Sequence, residues 1–211
     1  MDIKENYALN HSKKKEKSLK LNKRLFNTYN RIIQKKLGRN LSGANIDLGS
    51  GDKGFTEYLK TIDITSHPYD YPSFDIEKDC LKHDDESIDF VTMNAVIEHI
   101  KNPDNIFKEI SRVLRKNGLV FVRTPNWQMD YKNFYNDPTH VKPYTPQCLE
   151  QTFELYNLKT IFLEPGLIES SWIWWQLPDK IKWIAASLLS NGTRSIIGIG
   201  VKKNQNFPKI I

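Results

Sequence analysis

The stretch "ANIDLGSGDKGF", residues 44–55, leaves the chain few ways to fold. A short apolar run suited to a buried strand leads straight into Gly49, Gly51 and Gly54, so the strand must end there in a tight turn. Glycine takes up positive φ cheaply and lets backbone approach a ligand closely. "GFTEYLK" then reads as a short helix whose first N–H groups suit an anion or carboxylate. A strand–turn–helix unit of this kind belongs to parallel α/β sheets, in which ligands bind at the carboxyl ends of the strands.

The rest of the chain repeats the alternation. "KTIDIT" reads as a second strand, "SHPYDYPS" as a loop broken by two prolines, and "SIDFVTM" as another strand. "NPDNIFKEISRVLRKNG" carries helix signals at both ends: Asn102 to cap, Pro103 for the first turn and Gly118 for the stop. Ile106, Phe107, Ile110, Val113 and Leu114 form its buried stripe. "LVFVRT", "LKTIFLE" and "SIIGIGVKK" read as further strands, with a tryptophan-rich helical stretch before the last.

The 211 residues suit one ordinary domain with an extension. Residues 1–40 hold twelve basic and three acidic residues, a charge of +9; the other 171 hold 19 basic and 22 acidic ones, net −3. We therefore divide the chain into a basic N-terminal arm and helix, 1–40, and a domain, 41–211. Leu25, Phe26, Tyr29, Ile32, Ile33 and Leu37 recur at helical spacing and predict an amphipathic helix lying on the body. Cys80 and Cys148 stand apart with no CxxC, as expected of a reducing compartment and not of a structural zinc site. No apolar leader and no run of 18 apolar residues occurs, so a cytoplasmic protein is expected.

Gly49-x-Gly51-x-x-Gly54 also matches a dinucleotide fingerprint, but that pattern expects an acid about 20 residues further on. Asp63 follows Gly51 by only twelve, and Asp47 stands two residues before the first glycine, where NAD-binding turns usually have no acid. With Asp47-x-Gly49-x-Gly51 in place, the chain resembles the class I S-adenosylmethionine-dependent methyltransferases of the type 11-like family. The match continues in order through "TIDI", "DCLKHDDESIDFV", "VIEHIKNPDNIFKEISRVLRKNGLVFVRTPN" and "HVKPYTPQCLEQTFELYNL", about residues 40–163. The resemblance implies a Rossmann-like three-layer sandwich, a mostly parallel seven-stranded sheet with helices on both faces. It also implies S-adenosyl-L-methionine as cofactor. Asp47 would lie near its methionine end with Gly49 and Gly51, Asp63 on the ribose hydroxyls, Asp79 and Cys80 at the adenine, and Asn94 near the sulfonium. Lys53 stands where the family often has glycine.

Such an enzyme needs only to align a nucleophile with the methyl group, exclude water and remove a proton. "NFYNDPTHVKPYTP", residues 133–146, gathers Tyr135, Asp137, His140 and Tyr144 among stiffening prolines, which suits a hydroxylated acceptor. His140 is the candidate general base, because histidine is the residue type suited to proton transfer near neutral pH; Tyr135, Asp137 and Tyr144 are candidate acceptor contacts. Glu98-His99 offers one carboxylate and one imidazole, a poor set for a hard cation, so a structural role and no metal are expected. Trp172, Trp174, Trp175 and Trp183 mark an apolar stretch suited to core, dimer or lipid contact. The expected reaction is O-methylation of a small acceptor such as a sugar or lipid-linked glycan intermediate. The rival readings are a nucleic-acid methyltransferase using the basic arm, which is less expected, and an inactive methyltransferase-like binding module.

Overall fold

In β-strands side chains alternate between faces, and here both faces are apolar, so the sheet has to be covered twice. The computed structural model describes residues 3–165, 178, 181, 184 and 195–203. A long helix α1 (Ile3–Leu37) precedes β1 (Ala44–Leu48), α2 (Gly54–Lys60), β2 (Thr65–Tyr69) and β3 (Ile88–Asn94). A 3₁₀ turn at Ile97–His99 leads to α3 (Asp104–Val113), β4 (Leu114–Pro125), α4 (Trp127–Phe134), α5 (Pro146–Leu155), β5 (Leu158–Pro165) and β6 (Ser195–Lys202). The strands run in the order β2-β1-β3-β4-β6-β5. The first four are parallel, and β6 is antiparallel to both β4 and β5.

One face of the sheet presents Ile46, Leu48, Val91, Met93, Val120 and Val122 to Ile106, Phe107 and Ile110 of α3 and to Leu149 and Phe153 of α5. The other face presents Phe90, Phe121, Ile197 and Ile199 to Tyr29, Ile32 and Ile33 of α1 and to Phe55 and Leu59 of α2. The Rossmann-like three-layer class is therefore as expected. So is the amphipathic helix over Leu25–Leu37, although the helix extends back through the basic arm to Ile3.

Three expectations change. The sheet has six strands among the described residues, not seven. The second strand is Thr65–Tyr69 and not "KTIDIT"; Pro68, which lacks an N–H, made this segment read as a loop. Proline is tolerated there because β2 lies at the sheet's edge. The α3 helix stops at Val113, where Leu114 turns extended to begin β4, so Gly118 lies within a strand. Trp172, Trp174, Trp175 and Trp183 lie outside the described residues.

Candidate active site

The order of strands reverses between β1 and β3, the kind of crevice in which α/β sheets bind ligands. Both glycines of the β1 turn adopt positive φ, 68° at Gly49 and 50° at Gly51. A Cβ on Gly49 would stand 2.3 Å from Val96 Cγ2, whereas one on Gly51 meets open space. The Gly49 N–H donates to the Tyr69 carbonyl (2.8 Å) and the Gly51 N–H to Asp70 Oδ2 (2.9 Å). An open cleft of about 520 Å³ follows this turn. Its walls include Asp70, Tyr71 and Phe74 after β2, Ile76 and Glu77 in the next loop, and Ala95, Val96 and His99 after β3. That volume falls in the range of small-molecule sites. A groove of similar size near Lys108 and Tyr156 holds none of the expected site residues.

The expected cofactor residues do not all reach this cleft. Gly49 and Gly51 line it. Asp47 stands just behind the turn and is buried, its carboxylate accepting from the hydroxyls of Thr56 (3.1 Å) and Thr92 (3.0 Å). Burial pushes its carboxyl up to about 6, against the two hydroxyl hydrogen bonds. Asp63 requires correction: it occupies the turn ahead of β2 at φ 58°, at the strand's amino end. The acid following β2 is Asp70, 19 residues after Gly51, close to the fingerprint spacing against which Asp63 fell short.

Asp79 and Cys80 are also not among the cleft's lining residues. Asp79 accepts from the Asp75 N–H (2.7 Å) and Cys80 is exposed; Asp75, Ile76 and Glu77 line the cleft in their place. Glu77 Oε1 accepts from the Lys101 N–H (2.6 Å), tying that wall to the segment after β3. Asn94 ends β3 and accepts from the Tyr29 hydroxyl of α1. Its neighbour Ala95 lines the cleft.

The loop after α4 folds back over His99. Its anchor is Glu98, whose carbonyl accepts from the N–H groups of Val141 (2.9 Å) and Lys142 (3.0 Å). Glu98 is 1 % exposed; Oε2 accepts from Thr124 (2.9 Å) and Oε1 has no partner among the described residues. Burial pushes this carboxyl above its ordinary range. His99 Nδ1 lies 2.9 Å from Thr139 Oγ1 and 3.1 Å from the Thr139 carbonyl. The Thr139 hydroxyl donates its hydrogen to Asp137, so His99 Nδ1 is the donor. Asp137 is held below the usual carboxylate range by this hydroxyl and by the Thr139 N–H.

His140 Nδ1 faces the Phe134 carbonyl at 2.6 Å and must also carry its hydrogen. Its Nε2 lies 3.9 Å from Asp137 Oδ2, beyond hydrogen-bond reach, so a neutral His140 keeps a free lone pair. The rings of His99 and His140 stand 4.8 Å apart. Tyr135 is exposed and packs by its edge against Trp127 and Phe134. Tyr144 is a correction: it is fully buried in the core and cannot touch an acceptor.

A model for a methyltransferase domain matches residues 21–162, and the chain belongs to that family. It is an S-adenosylmethionine-dependent methyltransferase of class I type. Among solved structures it is similar to a SAM-dependent methyltransferase from Archaeoglobus fulgidus, with 20% identity over 76% of this chain and 86% of that one, TM-score 0.55. A Methanosarcina mazei SAM-dependent methyltransferase shares 15% identity over 82% and 98% of the two chains, TM-score 0.59. A Haemonchus contortus phosphoethanolamine N-methyltransferase, solved with S-adenosylhomocysteine, shares 15% over 85% of this chain and 53% of its own, TM-score 0.56. No curated protein matches the chain. Among the described residues no helix is long and apolar enough to cross a membrane.

Proposed function

We propose that the enzyme methylates a hydroxyl oxygen of a small acceptor, a sugar or glycan intermediate, with His140 as general base. When bound, the cofactor supplies an electrophilic methyl group. Asp70, at the end of β2 beside Gly51, is suited to take the ribose hydroxyls through its two oxygens. Tyr71, Phe74 and Ile76 offer an apolar wall for the adenine, and Glu77 an acceptor for its amino group. Gly49 and Gly51 bring backbone against the methionine end, with the Asp47 carboxylate behind them.

The observation that carries the acceptor reading is the state of His140. Its Nδ1 hydrogen is held by a backbone carbonyl, which leaves Nε2 as a base without a partner in hydrogen-bond range among the described residues. The ring stands beside that of His99, a wall of the cleft, tilted 56° to it. Tyr135 adds an exposed aromatic surface on the same loop, against which a sugar ring can pack.

The test is turnover of the cofactor against a panel of hydroxylated acceptors, sugars and sugar conjugates first, with amines as comparison. Replacing His140 by alanine should lower turnover about 10²-fold or more while S-adenosylhomocysteine affinity stays unchanged. Turnover with amines alone, or equal rates in both proteins, would refute the reading.

A further inference from the structure

The donors left over around His140 converge. Glu98, 1 % exposed, presents an oxygen with no hydrogen-bond partner among the described residues. His99 and His140 each commit Nδ1–H to a carbonyl, and so each directs an Nε2 lone pair elsewhere. One donor atom from each of the three residues lies within 4.8 Å of the others. An unpartnered buried carboxylate oxygen is costly.

We infer that Glu98, His99 and His140 bind a single divalent transition-metal ion of the zinc or cobalt class. Imidazole nitrogen suits such ions, whereas two nitrogens and one oxygen are poor for magnesium or calcium. Each ligand already has the outer partner that metal sites use to set tautomer and direction. Those partners are the Thr139 carbonyl for His99, the Phe134 carbonyl for His140 and the Thr124 hydroxyl for Glu98. Donors about 2.1 Å from one ion stand roughly 3–3.5 Å apart, so the three must close by about an ångström. His140 is carried on a loop, which makes that shift feasible. His99 lines the cleft, so the three donors adjoin the space where an acceptor would sit. The sequence presented Glu98 and His99 as an incomplete pair; the missing ligand is His140, 41 positions beyond His99 in the chain and beside it in space.

The test is cobalt(II) titration of full-length protein stripped by a chelator, followed by visible absorption and equilibrium dialysis. One equivalent should bind with d–d bands, be displaced by zinc and resist a large excess of magnesium. His140→Ala and Glu98→Gln should each weaken binding at least about tenfold. S-adenosylhomocysteine calorimetry on the same variants reports whether they are folded. Should either fail to fold, bound cobalt in the wild type must still broaden the ring signals of His99 and His140 before any other histidine's. Absence of saturable binding, binding untouched by both substitutions, displacement by magnesium, or broadening at other histidines first would overturn the inference. The test does not depend on the proposed proton transfer. Cobalt on Nε2 occupies the lone pair that His140 needs as a base, so loaded enzyme should lose turnover. Faster turnover on loading would refute the base and leave the metal site standing.

Discussion

At the scale of single residues, two aspartates carry opposite lessons. Asp47 is buried behind the glycine turn with its carboxyl pushed up to about 6, so the native state holds this proton more tightly than the unfolded chain does. The corresponding stability is present below the unfolded value near 3.8 and is lost as pH rises through about 6, on the order of 3 kcal/mol in all. Asp47→Asn should therefore flatten stability between pH 4 and 6 and raise the unfolding temperature at pH 7. An unchanged pH slope in denaturant titrations would contradict this. Asp70 carries the second lesson. Asp70→Ala should weaken S-adenosylhomocysteine binding at least about tenfold, each charge-assisted bond contributing about 1.5–3 kcal/mol, while Asp63→Ala should leave it unaltered. Calorimetry on the pair decides between them, and the reverse order would restore Asp63. The spacing of 19 from Gly51 to Asp70 was there to be read in the sequence. It was hidden because Pro68 disguised an edge strand as a loop and so moved the strand's end to the wrong acid.

Among the elements, those with strong periodicity were legible and those shaped by a partner were not. The stripe of α3 as far as Val113 and the strand–turn–helix at residues 44–60 follow from local pattern alone, and both form as expected. The placement of Tyr144 depends on a parallel bridge to Asn126 and on packing from distant strands, so no local signal separates this buried tyrosine from exposed Tyr135. The same holds for His140, whose environment comes from Glu98, His99 and Phe134 together. Two substitutions probe how elements lean on one another. Gly49→Ala forces a Cβ into Val96 from a backbone with positive φ, and should abolish S-adenosylhomocysteine binding by displacing the segment after β3. Binding at wild-type strength would show that the turn adapts. Ile33→Ala removes a fully buried side chain from α1 and should lower stability by about 2–5 kcal/mol, measured by denaturant unfolding. A loss below about 1 kcal/mol would mean that α1 is only loosely attached to the sheet.

For the molecule as a whole, the basic arm is less separate than its charge suggested. Its charge excess runs along a helix whose later turns supply one wall of the core, and the Tyr29 hydroxyl reaches Asn94 at the end of β3. The sheet, too, is closed by a late arrival. Among the described residues β6 lies between β4 and β5, is the last strand in chain order, and is the one neighbour of β5. During synthesis the ribosome therefore delivers the glycine turn, the cleft and the histidine loop well before the strand that completes the sheet. Until β6 emerges, the edge of β4 that it covers stands open and β5 lacks the strand it pairs with, so the nascent enzyme passes through an interval in which its active-site residues exist but their scaffold is unfinished.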